Sequence, residues 1–277
     1  MQLALFQMRV KDQPAENLAH AAAGIARAAA AGADMVVLPE MFVCPYTNSA
    51  FIQFAQPRAG RYAQAMAEAA AKAGVWLIAG SVPEQEETRL YNTSYVFSPS
   101  GKLIAAHRKM HLFDIAVQGG QHFQESDTFT PGDQVTLFDT PFGRVGLCIC
   151  FDMRFPELSL LMALQGAQMI LAPAAFNRTT GPAHWDLLFR QRAVDNQLFT
   201  AGIAPARDPS GPYVSYAHSL VCSPWGEVLC RAGTEEEMLC CTVDFAQNSS
   251  IRAQLPFLSA RRTDLYGLLE KKSGLVW

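Results

Sequence analysis

An acid, a cation and a thiol each stand where a short apolar run stops. Glu40 follows residues 35–38, Lys109 follows 102–107, and Cys150 follows 144–149. Glu40 and Lys109 are 69 positions apart, and Lys109 and Cys150 are 41 apart. A free thiol titrates near pH ~8.5, so at neutral pH it needs a base to become a nucleophile. A partly buried Glu serves as that base, because desolvation raises its pKa toward neutrality. A Lys paired with the same carboxylate stays charged and stabilises a developing oxyanion. The set fits acyl transfer through a thioester. Each residue also has a plainer reading. Buried Cys is commonly an inert small hydrophobe. Glu40 is placed to cap a helix, and Lys109, next to Arg108, could be a solvated charge.

The elements that must position these groups alternate between strand and helix. Residues 3–8 read as a strand, and 16–31 as an Ala-rich helix that Gly32 stops. Residues 35–38 are a buried strand. A helix over 60–73 ends at Gly74, and a buried strand over 75–79 follows. Residues 91–97 and 102–107 flank the turn Ser98-Pro99-Ser100-Gly101 as a hairpin. Residues 112–134 form a long loop, which in a compact chain is usually functional. A second hairpin pairs 135–138 with 144–149. The second half then predicts a helix over 155–165, a strand over 169–172, a helix over 183–197 and a strand over 198–203. A third hairpin turns at Pro224-Trp225-Gly226.

The chain repeats itself. Gly32–Phe42 (GADMVVLPEMF) aligns with Gly166–Phe176 (GAQMILAPAAF) with five of eleven positions identical. Ser98–Gly101 matches Ser223–Gly226, and Ala79-Gly80 matches Ala201-Gly202. Each half reads as a mixed sheet with two helices. Stacking two such sheets with the helices outside gives an α/β, four-layer α-β-β-α sandwich with an internal pseudo-two-fold duplication. An ordinary doubly wound sheet with chance similarity is the alternative at this point. No linker composition separates the halves, so residues 1–277 read as a single domain. The repeat breaks at the reactive groups. Ala174 stands where the first half has Glu40, the stretch 232–234 has no counterpart of Lys109, and the strand equivalent to 144–149 ends near Gln7 rather than at a thiol. The ends of strands are where α/β sheets bind ligands.

Composition narrows the function classes. Half of the 277 residues are hydrophobic and 17% are charged, which excludes disorder as the dominant state. A net charge of −3 provides no global basic field for nucleic acid. No apolar run approaches the ~20 residues needed to span a bilayer. The first residues lack a basic segment, and Gln7 interrupts their apolar run, so they are not read as a signal peptide. Seven cysteines without a regular framework point to reduced thiols and a cytoplasmic location. The sequons at Asn92, Asn177 and Asn248 carry no meaning there. His107 and His111 are spaced i,i+4, but the segment leaves a strand and zinc would need further ligands. No phosphate loop, dinucleotide fingerprint or serine elbow is present. No cofactor and no metal is expected. Arg261-Arg262 reads as a surface or subunit contact.

The chain resembles the nitrilase superfamily of carbon–nitrogen hydrolases. The matching blocks are Leu38-Pro39-Glu40, His107-Arg108-Lys109-Met110-His111-Leu112-Phe113, and Gly146-Leu147-Cys148-Ile149-Cys150-Phe151-Asp152-Met153-Arg154-Phe155-Pro156-Glu157. They come in the right order and spacing, and similarity covers essentially the whole chain. Within the superfamily the resemblance is to the omega-amidases. It rests on Phe123-Gln124-Glu125-Ser126, Phe176-Asn177, Thr179-Thr180-Gly181-Pro182-Ala183-His184-Trp185, Arg192-Ala193-Val194-Asp195-Asn196-Gln197 and Pro205-Ala206-Arg207-Asp208. Phe151 departs from the family, where Tyr commonly follows the cysteine.

The resemblance implies the four-layer sandwich and a Glu40–Lys109–Cys150 triad. It implies a second glutamate, Glu125, that helps position substrate and Lys109. It implies hydrolysis of the terminal amide of 2-oxoglutaramate or 2-oxosuccinamate to the acid and ammonia. The Phe151 backbone N–H is expected to help hold the oxyanion, and Ala174 to line the pocket beside the thiol. The substrate's far carboxylate needs a cation, for which Arg154, Arg178 and Arg207 are candidates and Arg207 is preferred. Arg154 is instead expected to pair with Asp152 or Glu157. A homodimer or larger assembly is implied, with the tail from about 256 in subunit contacts. Two other readings stand beside this one. The first is a different amidase of the superfamily, acting on deaminated glutathione, nitriles or N-carbamoyl compounds. The second is a non-catalytic binding protein on the same scaffold.

Overall fold

In the computed structural model, which describes residues 1–271 and 274–276, each apolar run read above as a strand forms one. The first half contains β1 (Gln2–Gln7), α1 (Pro14–Ala30), β2 (Met35–Val37), α2 (Asn48–Phe54), β3 (Gln56–Pro57), α3 (Arg61–Ala73), β4 (Trp76–Glu86), β5 (Arg89–Phe97) and β6 (Leu103–Arg108). A small hairpin, β7 (Asp114–Ala116) and β8 (His122–Gln124), interrupts the long loop and ends in a 3-10 turn at Glu125–Asp127. The second half contains β9 (Thr136–Thr140), β10 (Gly143–Leu147), a 3-10 turn at Cys150–Arg154, α4 (Pro156–Leu164), β11 (Met169–Pro173), α5 (Gly181–Asn196), β12 (Phe199–Ile203), β13 (Leu220–Cys222), β14 (Val228–Arg231), β15 (Glu237–Thr242) and α6 (Ala246–Gln254). Two short strands, β16 (Leu269–Glu270) and β17 (Leu275–Val276), pair near the end.

Local chemistry explains the boundaries. Helix α1 begins at Pro14, two residues before the predicted start, because proline has no N–H to lose in the first turn and its φ is already helical. Its buried positions Leu18, Ala21, Ile25 and Ala28 recur every three or four residues and form one face. Helix α3 ends on Gly74 in the left-handed region, at φ +69°. Helix α2 carries little periodicity in seven residues, and its start is set by the Ala50 N–H donating to Thr47 Oγ1 at 3.2 Å. The polar helix α6 and the closing strand β15 were likewise not read from the sequence.

The strands form two sheets of order β15-β1-β2-β4-β5-β6, with β3 beside β4, and β14-β13-β12-β11-β10-β9. The duplication is plain in them. Strands β1, β2, β4, β5 and β6 correspond to β10, β11, β12, β13 and β14. Strand β9 runs antiparallel beside β10, and β15 fills the same position beside β1 across the chain termini. Register refines the repeat. Leu3 pairs with Met35 and Val145 with Met169, so the counterpart of Cys150 is Met8, one residue beyond Gln7. Trp76 pairs with Met35 and Phe199 with Met169, which aligns Ala79 with Gly202 and shifts the match at that strand by one residue.

Side-chain alternation builds the layers. On β1, Leu3 and Leu5 enter the core between the sheets, where Val37, Ile78, Val145, Leu171 and Phe199 meet them. Ala4 and Phe6 point the other way, onto α1 and α3. On the far side, Ile170 and Ala172 pack on α4 and α5 with Trp185 and Phe189. Each fully buried Leu, Ile or Phe contributes about 1.5–3 kcal/mol. The result is the α-β-β-α sandwich, and the C-terminal ends of β2 and β10 come together beside the ends of β6 and β11.

Candidate active site

Glu40 stands three residues beyond β2, and β4 fixes the segment that carries it. Leu38 N–H donates to Ile78 O at 3.0 Å, and Ser81 N–H donates to Pro39 O at 3.3 Å. Gly80 passes directly beneath, where a Cβ would lie 1.9 Å from Pro39 O. Lys109 leaves β6 with its N–H donating to Asn92 O at 2.8 Å. Cys150 occupies a sharp turn between β10 and the following 3-10 turn, with φ at +48°. A left-handed backbone costs a non-glycine residue roughly 1–2 kcal/mol. Such strain concentrates where a side chain must be aimed.

The structure brings Glu40, Lys109, Glu125 and Cys150 together, all buried. Lys109 Nζ donates to Glu40 Oε1 at 2.9 Å and to Glu125 Oε2 at 2.7 Å. Asn92 Nδ2 bridges the two carboxylates, 2.9 Å from Glu40 Oε1 and 3.0 Å from Glu125 Oε1. The Tyr46 hydroxyl donates to Glu40 Oε1 at 3.3 Å. Three donors therefore converge on one oxygen of Glu40, while Oε2 has none among the described residues. The Cys150 thiol lies against this carboxylate and the Ala175 N–H. Glu125 is held at the base of the β7–β8 hairpin, where Phe113 N–H donates to its Oε2 at 2.6 Å.

Burial sets the protonation states. Desolvation and the charge of Glu40 push the Cys150 thiol well above its ordinary 9, against the opposing pull of Lys109. Burial also pushes Glu125 up; Lys109 opposes this and Glu40 adds to it. For Lys109, burial favours the neutral amine, but the charges of Glu125 and Glu40 outweigh it and the ammonium is held firmly. The resting arrangement is a neutral thiol against the Glu40 carboxylate and a fixed cation.

A cavity of about 80 Å³ opens on Glu40 and is lined by Tyr46, Ala175, Tyr213 and Asp208 among others. Tyr46 and Tyr213 pack 4.5 Å apart, and the Tyr213 hydroxyl donates to Ala175 O. Ala174 does not line this cavity. Its N–H pairs with Ile203 O and its side chain enters the core under α5, so the alternation of the chain hands the pocket position to Ala175. As the second residue of its 3-10 turn, Phe151 carries one of the N–H groups that such a turn leaves without an internal partner. Its ring packs on Phe113 and Phe155.

The arginines fall differently from expectation. Arg207 does not join the cluster: its Nε donates to Ser215 O at 3.2 Å and its Nη2 to Tyr216 O at 2.7 Å, which ties down the loop before β13. Arg178 is exposed. Arg154 pairs with neither Asp152 nor Glu157. It is half-buried between the rings of Phe176 (4.9 Å) and Phe151 (5.4 Å), Nη1 lies 3.0 Å from His184 Nδ1, and Nε has no partner among the described residues. It lies within electrostatic reach of Cys150 and Tyr213.

The sequence assigns no role at this site to four residues of the neighbourhood: Asn92, Tyr46, Tyr213 and Asp152. Asn92 left a trace, since Asn is depleted in strand interiors and this one sits within β5. Asp152 stands in the family-like block, but there it was offered only as a partner for Arg154, and the two tyrosines left no trace.

Chains of known kind resemble this one closely. The carbon–nitrogen hydrolase family model matches residues 2–253. The omega-amidase NIT2 of Bos taurus is 48% identical over 271 residues, 98% of each chain. Nit3 of Saccharomyces cerevisiae, a nitrilase-superfamily member, superposes with a TM-score of 0.87 at 38% identity, covering 95% of this chain and 96% of that one. The amidase of Nesterenkonia sp. superposes with a TM-score of 0.78 at 25% identity, covering 96% and 95%. That structure carries the acetamide moiety of fluoroacetamide on its active-site cysteine.

Proposed function

The chain belongs to the carbon–nitrogen hydrolase family, within the nitrilase superfamily, and from that premise we propose that it hydrolyses the terminal amide of a small 2-oxo dicarboxylic acid monoamide. The substrates are 2-oxoglutaramate and 2-oxosuccinamate, and the products are the dicarboxylic acid and ammonia. The observation that carries this reading is the buried cluster itself: the Cys150 thiol against a Glu40 carboxylate that keeps one oxygen unpaired, with Lys109 fixed between two carboxylates. The choice of substrate class rests on the resemblance to omega-amidases, the name that such relatives carry.

Glu40 Oε2 takes the thiol proton as the sulfur attacks the amide carbon. Lys109 and the Phe151 backbone N–H hold the oxyanion. Glu40 returns the proton to the leaving nitrogen and ammonia departs, leaving a thioester on Cys150. Water, deprotonated by Glu40, attacks the thioester; the acid is released and the thiol regains its proton. Glu125 touches Lys109 and orients it. Arg154 meets the far carboxylate, because it offers a cation near Cys150 with an unused N–H, whereas Arg207 is occupied with backbone carbonyls.

The assay is ammonia release from 2-oxoglutaramate against succinamate, glutamine, deaminated glutathione, an aliphatic nitrile and an N-carbamoyl amino acid. A kcat/KM at least about tenfold higher for 2-oxoglutaramate, about 1.4 kcal/mol of discrimination, is expected. Cys150→Ser should remove turnover and leave the fold intact. Preference for another member of the panel keeps the cysteine chemistry and discards the substrate. Silence across the panel favours a binding protein.

We further infer that residues 1–277 act as one domain in the cytoplasm and assemble as a homodimer or larger. The tail from about 256 supplies subunit contacts, since Phe257, Leu265, Tyr266 and Leu269 all stand exposed on it. Among the described residues, no helix is long and apolar enough to cross a membrane. Light scattering of the purified chain checks the assembly.

A further inference from the structure

One fully buried carboxylate beside the cluster has no part in the chemistry above. Asp152 stands two residues beyond Cys150, and its two oxygens take five hydrogen bonds. Oδ2 accepts from the Ile149 N–H at 3.0 Å and from His107 Nε2 at 3.0 Å. Oδ1 accepts from the Met110 N–H at 3.2 Å, the His111 N–H at 2.9 Å and His111 Nδ1 at 2.7 Å. Ile149 immediately precedes Cys150, whereas His107, Met110 and His111 flank Lys109 on both sides. One carboxylate thus grips the segment of the thiol and the segment of the cation. Both histidines are themselves steered. The other ring nitrogen of His107 lies 2.9 Å from Thr136 Oγ1, and the His111 ring stacks on Phe155 at 3.6 Å. The partner on one nitrogen decides which nitrogen of an imidazole carries the proton.

The need for such a grip follows from the architecture. Lys109 leaves one sheet and Cys150 leaves the other. The sheets meet through apolar side chains, and apolar contact is non-directional. A catalytic set must be held to within about 0.5 Å. Directional bonds across the sheet boundary supply that precision. We propose that Asp152 is a positioning residue that sets the placement of Lys109 relative to Cys150, and so acts on oxyanion stabilisation rather than on removal of the thiol proton. The inference rests on the roles proposed for Lys109 and Cys150. Asn is a poor substitute, since its amide has a single acceptor oxygen and turns N–H groups toward the remaining donors.

The test uses Asp152→Asn and His111→Ala, with Cys150→Ala as control, in the full chain. Readouts are kcat and KM for the best amide of the panel, the thermal midpoint, and the rate at which iodoacetamide alkylates Cys150. Alkylation forms a sulfur–carbon bond and expels iodide without an oxyanion, so Lys109 enters it only through its pull on the thiol's ionisation. A kcat lower by about 100-fold in Asp152→Asn and about tenfold in His111→Ala is expected, with KM and the alkylation rate within about threefold of the parent. If Asp152→Asn does not fold, His111→Ala decides, because its side chain reaches the surface and four of the five bonds to Asp152 remain. A kcat within about twofold of the parent in a folded variant overturns the proposal. So does an alkylation rate that falls in step with kcat, the mark of a general loss of structure. Turnover by Cys150→Ala removes the reading beneath it. An inactive Cys150→Ala beside a fully active Asp152→Asn removes the grip alone.

Discussion

The two oxygens of Glu40 have unequal tasks. Oε1 takes Lys109, Asn92 and Tyr46, and Oε2 is left for a proton. A carboxylate satisfied on both oxygens would be a weak base, so this asymmetry is what the proposed chemistry needs. The thiol must then be neutral at rest, because burial and Glu40 push its ionisation well above 9. Two outcomes follow. Ultraviolet thiolate absorbance, taken as the parent minus Cys150→Ala, should stay flat from neutrality to about pH 9, the ordinary range of a free thiol. A titration near 8 would show the nucleophile to be a standing thiolate instead. Iodoacetamide should nonetheless modify Cys150 before the other six cysteines, since Glu40 can remove the proton as the bond forms; peptide mapping after brief exposure checks the order.

Among the elements, β4 matters most to Glu40. The strand passes beneath the Pro39 carbonyl at Gly80, where any side chain would collide with backbone. Gly80→Ala should therefore cost about 1–3 kcal/mol in overpacking and lower kcat by displacing Glu40. Urea unfolding and steady-state kinetics read the two effects, and a neutral substitution would show that β4 does not position the acid. The length of the long loop points to function, and the structure places its Glu125 beside Lys109 in the buried cluster. The internal hairpin of the loop was not legible, because β7 and β8 have three residues each and are too short to show a period. The hairpin is tied down at Asn48, whose Nδ2 donates to Gln124 O at 3.0 Å, and through Gln121, which accepts from Asn177 Nδ2. Asn177 in turn receives the Thr179 and Thr180 N–H groups ahead of α5. Asn92, Asn177 and Asn248, three sequons by pattern, are all buried and hydrogen-bonded, which leaves no room for a glycan.

At the scale of the whole molecule, Asp152 ties the halves together and makes stability depend on pH. Burial alone would raise its pKa, but the bonds from His107, His111 and Ile149 outweigh that and hold it well below its ordinary 3.8. The native state then binds fewer protons than the unfolded chain around that value. Its contribution is fully present above the unfolded pKa and is lost as pH falls through the folded one. Glu125, whose pKa is raised, acts with the opposite sign as pH rises past its unfolded value. Between about pH 5 and about pH 3 the parent should lose stability more steeply than a folded Asp152→Asn. Parallel losses in urea titrations would place the acid sensitivity elsewhere.

Most of the longer strands and helices, the duplication and the positions where it breaks can be read from the residues alone. These are properties of periodicity and local spacing, which side-chain type and turn chemistry decide within a few residues. Which groups meet depends on how distant segments fold together. Ala175 rather than Ala174 faces the cavity because strand alternation is counted from the register with β12. Arg154 rather than Arg207 keeps an unused N–H near Cys150 because loop carbonyls, which no residue pattern reveals, claim the latter. Asn92, Tyr46 and Asp152 reach the cluster from three separate segments, and contacts between distant segments depend on how two sheets stack, not on the residues next to them in the chain.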